Sequence, residues 1–171
     1  MRVQAALYRG RAREAWALIE SCQRPLRRSL FLRVQHTRIE SANYRARSAL
    51  ACAAQHTNDA RRLRAIAADE AQRILRENRP WGNAFARLLL ANVAHQEGNA
   101  QAAVEALTAA VDEFNAADML LYAAVSRRCL GALIGGDQGR SLRMAADRWM
   151  AGQEIRDPHA FMRLVAPGLP D

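Results

Sequence analysis

DARRLRAIAADEAQRILREN, residues 59–78, has the clearest helical pattern in the chain, because its apolar and charged residues separate on the surface of an α-helix. The apolar residues recur at steps of three and four, and they are Leu63, Ile66, Ala67, Ala71, Ile74 and Leu75. The charged residues fall on the remaining sides, and they are Arg61, Arg62, Arg64, Asp69, Arg73 and Glu77. The segment therefore predicts an amphipathic helix that buries one face.

Residues on either side of this helix set its expected limits. Asn58 is predicted to cap its first turn, since an Asn side chain accepts a hydrogen bond from a free backbone amide there. Pro80 ends the helix and also suits the first turn of the helix that follows. Upstream, Pro25 is expected to open a long helical stretch that reaches about Ala54, and a break near Tyr44 is left open.

The rest of the chain alternates helical patterns with short turns in the same way. Turns or helix starts are predicted at Gly10, Gly98-Asn99, Asp118, Gly135-Gly136-Asp137 and Asp157-Pro158. No segment alternates apolar and polar residues in the manner of a β-strand. The sequence therefore predicts an all-α protein in which residues 1–171 form a single domain.

Antiparallel helices joined by Gly-centred turns form either a bundle or a solenoid of hairpins. The spacing favours the solenoid. If Gly98 is the turn within a tetratricopeptide unit, small residues fall at the close helix crossings, namely Ala91, Ala103 and Ala110. Gly136 follows Gly98 by 38 residues, which is near the repeat period of about 34. We therefore expect a tetratricopeptide-like α-solenoid of stacked antiparallel helical hairpins.

The composition fits a packed helical domain and excludes several kinds of chemistry. Half of the 171 residues are apolar, and all 25 positively charged residues are Arg, because the chain contains no Lys. A P-loop, the phosphate-binding Lys of a kinase and Schiff-base catalysis each need a Lys amine, so none can be built here. We expect a protein that is not an enzyme and that needs no cofactor.

The positive charge is concentrated in the first half of the chain. Residues 1–79 contain 17 Arg and 7 acidic residues, a net +10, whereas residues 80–171 contain 8 Arg and 10 acidic residues, a net −2. Part of the Arg excess fits the codon usage of a GC-rich genome. The asymmetry otherwise predicts an acidic protein or peptide partner, or self-association head to tail. Nucleic acid is the alternative partner, although no interleaved aromatic platform or recognition helix accompanies the arginines.

A group of arginines near the start of the long helical stretch supplies the candidate binding residues. The partner-binding candidates are Arg27, Arg28, Arg33, Arg38 and Arg45, and Arg47 belongs to the same group. Arg38 and Arg45 are seven residues apart and so share a helix face. The group is either a solvated face with local ion pairs, for example to Glu40, or a basic groove for an acidic peptide. In the second case the partner is expected along the concave side of the solenoid.

Cysteine and tryptophan positions favour structural roles. The three cysteines lie within helical patterns and are expected to be buried, reduced thiols of a cytoplasmic protein; they are Cys22, Cys52 and Cys129. The three tryptophans are expected to anchor the core; they are Trp16, Trp81 and Trp149. No membrane role is expected, because the best apolar stretch, residues 85–93, is interrupted by Arg87 and Asn92.

Two further motifs are weak candidates for ligand binding. The histidines are scattered and lack metal-ligand spacing, although two of them have an acidic neighbour, His56 with Asp59 and His95 with Glu97; the others are His36 and His159. Residues 135–140, Gly-Gly-Asp-Gln-Gly-Arg, could precede a phosphate-binding helix. No strand comes before them and Asp137 would repel phosphate, so a helix turn with an N-cap is predicted instead.

Runs of residues along nearly the whole chain resemble one family region. In the first half they are residues 6–11, 15–16, 28–30, 33–35, 38–40 and 45–47. In the second half they are residues 117–119, 121–124, 127–128, 130–131, 135–137, 139–140, 146–147 and 149–150, with single matches on to residues 166–168. They resemble the tetratricopeptide-rich C-terminal region of large bacterial serine/threonine protein kinases with a sensor ATPase module. The resemblance implies an interaction or sensing module of a signalling protein, and it transfers no catalytic residue.

Overall fold

A computed structural model describes residues 2–55 and 58–171, and this part of the chain is all-helical. The α-helices are α1 (Arg2–Tyr8), α2 (Ala12–Arg28), α3 (Gln35–Ala53), α4 (Ala60–Arg76), α5 (Pro80–Gln96), α6 (Ala100–Ala116), α7 (Leu120–Ile134), α8 (Gly136–Gly152) and α9 (Pro158–Val165). A short 3-10 helix, Leu30–Arg33, lies between α2 and α3. The prediction of an all-α protein is confirmed.

The helices pack mainly in chain order. From α1 to α8, each helix packs against the next one along the sequence. In addition, α3 packs against α1 and α5, and the short helix α9 packs against α1 and α7. No comparable contact joins two even-numbered helices within the described residues. We call the surface of α1, α3, α5 and α7 that receives α9 the odd-helix face.

Two apolar clusters form the core. The first is built from α1 to α5 and is rich in alanine; Ala15, Ala46, Ala49, Ala67 and Ala71 are all fully buried in it. The second is built from α5 to α9 and contains larger side chains, among them Phe85, Phe114 and Met150. Alanine methyl groups let helix axes approach closely, and the few large residues fill the wider gaps, as a close-packed interior requires.

The crossing of α7 and α8 depends on two glycines. A Cβ atom on Gly131 would lie 2.6 Å from the backbone oxygen of Gly139, and a Cβ atom on Gly139 would overlap the backbone oxygen of Gly131. The two helix backbones therefore touch at this point, and no larger residue fits at either position.

Several predicted helix ends are confirmed. Pro80 lies in the first turn of α5, and Pro158 in that of α9, where the missing backbone N–H costs no helical hydrogen bond. The Asp157 side chain accepts a hydrogen bond from the Ala160 amide at 2.9 Å, and the Asn99 side chain accepts one from the Ala102 amide at 3.1 Å. These caps satisfy backbone donors that the helix itself leaves free.

The predicted helix from Pro25 to about Ala54 is wrong. Pro25 lies in the last turn of α2 instead, and α3 begins only at Gln35. Between them Ser29 caps the 3-10 helix, because its side chain accepts from the Phe31 amide at 3.3 Å. The break left open near Tyr44 is absent, since α3 runs through that residue without interruption.

Two predicted caps are also wrong. Asn58 does not cap α4, because the N-cap position is Asp59, whose side chain makes no capping hydrogen bond to the described residues. Asp118 has a φ of 57° and ends α6, since its backbone amide and that of Met119 bond back to the carbonyls of Asn115 and Phe114. The N-cap position of α7 is Met119 instead. At Gly135-Gly136 the predicted turn is confirmed, but no side chain of the described residues caps α8.

The thiol and tryptophan predictions hold in part. Cys52 and Cys129 are buried, whereas Cys22 lies on the exposed side of α2, so its predicted burial is wrong. Burial raises the pKa of the Cys129 thiol to about 12. All three tryptophans pack against the core clusters but are only half-buried. None of the helices in the described part of the chain combines the length and apolarity needed to cross a membrane.

Candidate functional site

A cavity of about 260 Å³ lies in the arginine-rich half, between α2, the 3-10 helix, α3 and α4. Its charged lining residues are Arg27, Arg38, Arg45, Arg73, Arg76, Glu70 and Glu77. Its apolar lining residues are Leu26, Leu32, Ile39, Ala42 and Ile74. We call this feature the arginine cavity. Five arginines against two glutamates leave its wall with a net positive charge.

Arg38 is held in place by four oxygen atoms of three residues. Its Nε and Nη2 atoms donate to the two carboxylate oxygens of Glu77 at 2.5 and 2.7 Å. Its Nη1 atom donates to the backbone oxygens of Leu32 and Arg33 at 3.0 and 3.1 Å. The hydrogen bond from Arg38 holds the pKa of Glu77 below its usual range. Arg38 thus ties the end of the 3-10 helix to the end of α4.

Arg45 joins three helices through two carboxylates. Its Nη1 atom donates to Glu70 of α4 at 2.6 Å, and its Nε atom donates to Glu20 of α2 at 3.0 Å. Glu70 is only 3% exposed and also accepts from Arg73 at 3.2 Å. The Arg45 guanidinium lies 5.9 Å from the ring centre of Trp16. A buried carboxylate between two guanidinium groups is a stable arrangement only while both stay in place.

The structure separates the six predicted arginines into three groups. Arg38 and Arg45 share a face of α3 as predicted and line the arginine cavity with Arg27, at the C-terminal end of α2. Arg28 and Arg33 are exposed nearby and do not line it. Arg47 projects from the opposite side of α3 and is buried there. Arg38 and Arg45 are ion-paired, but their partners lie far along the chain and not at Glu40.

Two of the arginines that line the cavity form no ion pair with the described residues. Within the described residues, no carboxylate lies within 4.0 Å of Arg27 or Arg76. The 3-10 helix lines the cavity through Leu32, and large apolar side chains are exposed in it and just after it: Leu30 at 69%, Phe31 at 68% and Val34 at 54%. A single exposed apolar residue is ordinary, but three within five residues of a cavity wall that carries unpaired charge are typical of an interaction surface.

On the other side of α3, the odd-helix face holds residues 158–171, which we call the C-terminal segment. Arg47 of α3 donates to the backbone oxygen of Leu164 at 3.0 Å, and Asn92 of α5 donates to that of Pro167 at 2.8 Å. At the α7 end, an Asp171 carboxylate oxygen lies 3.2 Å from Nη1 of Arg128 and 2.6 Å from Nδ1 of His159. At the α1 end, Arg163 donates to the backbone oxygen of Tyr8 at 3.3 Å.

Two key polar residues, Glu70 and Asn92, were not predicted from the sequence, and neither was the burial of Arg47. A signal for Glu70 exists, because it is spaced with Ala67, Ala71 and Ile74 on the apolar side of α4, where a carboxylate needs a partner. Asn92 stands out in the sequence only as an interruption of an apolar stretch. Arg47 groups with its exposed neighbours in the sequence, since an Ala-rich helix gives little contrast between its sides.

The histidines that the sequence offered as ligand candidates do not come together into a site within the described residues. His95 is half-buried near the end of α5, and burial lowers its pKa. His36 packs against Trp81 with ring centres 5.2 Å apart. His56 lies outside the described residues. Within residues 2–55 and 58–171, no group of three or more His, Cys, Asp or Glu side chains is placed to hold a metal ion.

Comparison with known proteins gives no relative. No family model matches the chain, and no match is found among curated proteins or solved structures. Any functional assignment therefore depends on the geometry of the chain itself.

Proposed function

We propose that this chain is a non-catalytic interaction scaffold that docks an acidic, partly apolar segment of another protein at the arginine cavity. The proposal is carried by two observations: Arg27 and Arg76 line the cavity unpaired within the described part of the chain, and Leu30, Phe31 and Val34 are exposed in and just after the 3-10 helix, which also lines the cavity through Leu32. Guanidinium groups bind carboxylates in a two-pronged fashion, and apolar contacts beside them supply affinity. The partner is thus a segment in which acidic and large apolar residues alternate.

We further propose that the helices form a tetratricopeptide-like stack of antiparallel hairpins. Three observations support it: packing in chain order, additional packing of α3 on α1 and α5, and a Gly98-Asn99 turn between α5 and α6. Ala91, Ala103 and Ala110 are fully buried, as close helix crossings require. In such a stack each hairpin contacts only its neighbours and one long surface stays available to partners.

The wider setting is a signalling protein in this proposal. The resemblance to the repeat region of bacterial serine/threonine kinases supports it, and free thiols at Cys22, Cys52 and Cys129 fit a reducing, cytoplasmic location. An adjoining reading frame for a kinase or sensor ATPase in the genome would support the assignment. Consistent absence of such a frame beside this gene and its close relatives would count against it.

The docking proposal is tested with a charge-reversal pair at the cavity. Arg27→Glu combined with Arg76→Glu breaks no ion pair of the described residues, so the fold should survive. The control is Arg148→Glu combined with Arg156→Glu, which makes the same charge change on exposed residues of the other half. The probe is a fluorescein-labelled peptide of alternating Glu and Leu, measured by anisotropy at physiological salt.

The expected result is at least a tenfold loss of peptide affinity for the cavity pair and less than a threefold loss for the control. Equal losses would mean unspecific attraction of a polyanion and would exclude the cavity as the binding site. A further arm uses single-stranded RNA and duplex DNA. Sequence-specific binding that survives physiological salt would favour the nucleic-acid alternative. Light scattering over a range of protein concentrations tests self-association. A mass that stays at the monomer value throughout would exclude it.

A further inference from the structure

The C-terminal segment crosses the odd-helix face from one side to the other. Asp171 meets Arg128 of α7, and α9 reaches α1, where Phe161 packs edge-on against Tyr8 with ring centres 5.8 Å apart. Between these two contacts the segment crosses α3 and α5. One short segment therefore contacts all four helices of the odd-helix face.

The helices hold this segment through its buried apolar side chains, such as Met162, Val165 and Leu169, and through hydrogen bonds to its main chain. The two central hydrogen bonds, from Arg47 to the Leu164 carbonyl and from Asn92 to the Pro167 carbonyl, use no side chain of the segment. Gln96 supports Asn92, because its amide nitrogen donates to the Asn92 side-chain oxygen at 2.9 Å. Main-chain recognition of this kind accepts many sequences, so the face is suited to more than one occupant.

Two buried donors on this face have no partner in the bound segment. The Nδ2 atom of Asn43 and the Nε atom of Arg47 make no hydrogen bond within the described residues. Both side chains are more than nine-tenths buried. Native interiors leave few donors unpaired, so these mark a site that its present occupant does not fill.

Arg47 is the buried residue for which a missing partner matters most, because its side chain is charged. It is 4% exposed, and its guanidinium lies 4.7 Å from the ring centre of Tyr44, yet no carboxylate of the described residues lies within 4.0 Å of it. Glu40, Tyr44 and Tyr122 are the titratable groups whose field reaches it. A buried cation is stable when it is paired with an anion, so an occupant bringing a carboxylate to Arg47 would bind better than residues 158–171.

We infer that residues 158–171 are a displaceable internal ligand, and that the odd-helix face is a second binding groove that this segment keeps closed. The competing ligand is a segment of a partner protein with a short apolar helix, an extended end and a carboxylate that reaches Arg47. The α9 helix has eight residues, too few to persist without packing, so release of the segment also unfolds it. This inference is independent of the arginine cavity, which lies on the other side of α3.

The experiment releases the segment by a substitution in the segment itself, so that no residue of the groove is changed. Gly168 has a φ of 93°, and a Cβ atom there would lie 2.9 Å from the Ala54 Cβ atom. Gly168→Val should therefore release the segment. The control is Gly98→Val, because Gly98 has a similar φ of 79° but no described atom within 4 Å of its Cβ position. The probe is a labelled peptide of residues 157–171, added to each full-length chain.

We expect the peptide to bind at least tenfold more tightly to the Gly168→Val chain than to the wild-type and Gly98→Val chains. The wild-type groove is protected because its own segment is present at an effective concentration on the order of millimolar. Adding Asn92→Ala to Gly168→Val should abolish the gain, because it removes the donor to the Pro167 carbonyl, whereas adding Asn115→Ala at an exposed position of α6 should not. Equal, weak binding to all folded chains would overturn the inference.

A measurement on the unaltered chain tests the inference independently of any substitution. If the segment opens by itself, the amides of α9 should exchange with solvent at least tenfold faster than the buried amides of α3 and α5, without global unfolding. Exchange of α9 only together with α3 and α5 would show a permanent part of the core, and it would overturn the inference even if the Gly168→Val chain failed to fold.

Discussion

The two sides of α3 use arginine in opposite ways. On the side of the arginine cavity, Arg38 and Arg45 bond to carboxylates of neighbouring helices and stay partly exposed. On the odd-helix face, Arg47 is almost fully buried, bonds to one backbone oxygen and has no carboxylate within reach among the described residues. The same residue type therefore acts as a fixed link between helices on one side and as an unmatched charge on the other.

This difference shows that burial and contribution to stability are separate properties of a charged group. A guanidinium that is already paired stabilises the packing of its helices, whereas an unpaired buried one destabilises its surroundings until a ligand supplies an anion. We expect substitutions on the first side to affect mainly folding, and substitutions on the second side to affect mainly the C-terminal segment. The following predictions test that contrast, beginning with the largest effect.

Glu70→Gln should lower the free energy of unfolding by about 2–4 kcal/mol, because it leaves the guanidinium groups of Arg45 and Arg73 beside a neutral side chain. Arg45 keeps its ion pair with Glu20, so the loss of stability should be smaller than when a buried charge loses its only partner. Urea denaturation measures the change. Glu14→Gln, in the exposed pair with Arg11, is the control and should change stability by less than about 0.5 kcal/mol. A similar small change at Glu70 would contradict the role given to Arg45.

Arg45→Met should destabilise the protein by about 1–2 kcal/mol more than Arg47→Met, although Arg47 is the more buried residue. Removing Arg45 strips a partner from the buried Glu70 carboxylate, whereas removing Arg47 also removes an unmatched charge, which offsets its lost hydrogen bond. Parallel urea titrations of the two variants give the comparison. The reverse order would mean that Arg47 is already well paired.

Asn92→Ala should lower the free energy of unfolding by about 1–2 kcal/mol, because it leaves the Pro167 carbonyl without its buried donor. The loss should be local. Hydrogen exchange should accelerate in α9 while α3 and α4 keep their protection. Asn115→Ala, at an exposed position of α6, is the matched control and should leave α9 unchanged. Uniform acceleration through all helices would show that the segment is integral to the core.

The smallest predicted effect is a dependence of stability on acid pH through Glu77. Its pKa is lowered in the folded chain by the hydrogen bond from Arg38, so the stabilisation is present above about pH 4.3, the ordinary Glu value, and is lost as pH falls through the folded value. Arg38→Gln should remove this contribution and flatten the fall in stability between about pH 4.5 and 3. An unchanged slope in urea titrations would exclude the pair as a source.

The sequence predicted best where a pattern repeats over several turns or where backbone chemistry is local. The apolar stripe of α4, the first turns at Pro80 and Pro158, the turn at Gly98-Asn99 and the cap at Asp157 all follow from neighbouring residues. It failed where two local signals compete. Pro25 is compatible with the first turn of a helix, but in this chain it lies in the last turn of α2, which continues through it to Arg28.

The candidate sites were predictable only in part. A shared face for Arg38 and Arg45 follows from their seven-residue spacing, but their partners Glu77 and Glu70 are on another helix, and no local pattern joins residues so far apart. The burial of Arg47 against residues 158–171 depends on how that segment returns to α1, which neither composition nor period records.

By itself, the sequence determined the helical class, most turns and the position of the excess positive charge, because these depend on interactions within a few residues. The tertiary structure decided which arginines are paired, which are left available and which face the C-terminal segment covers. The physical reason is that a charge is stabilised or left unmatched by groups brought near it through packing, and packing joins residues that are distant along the chain.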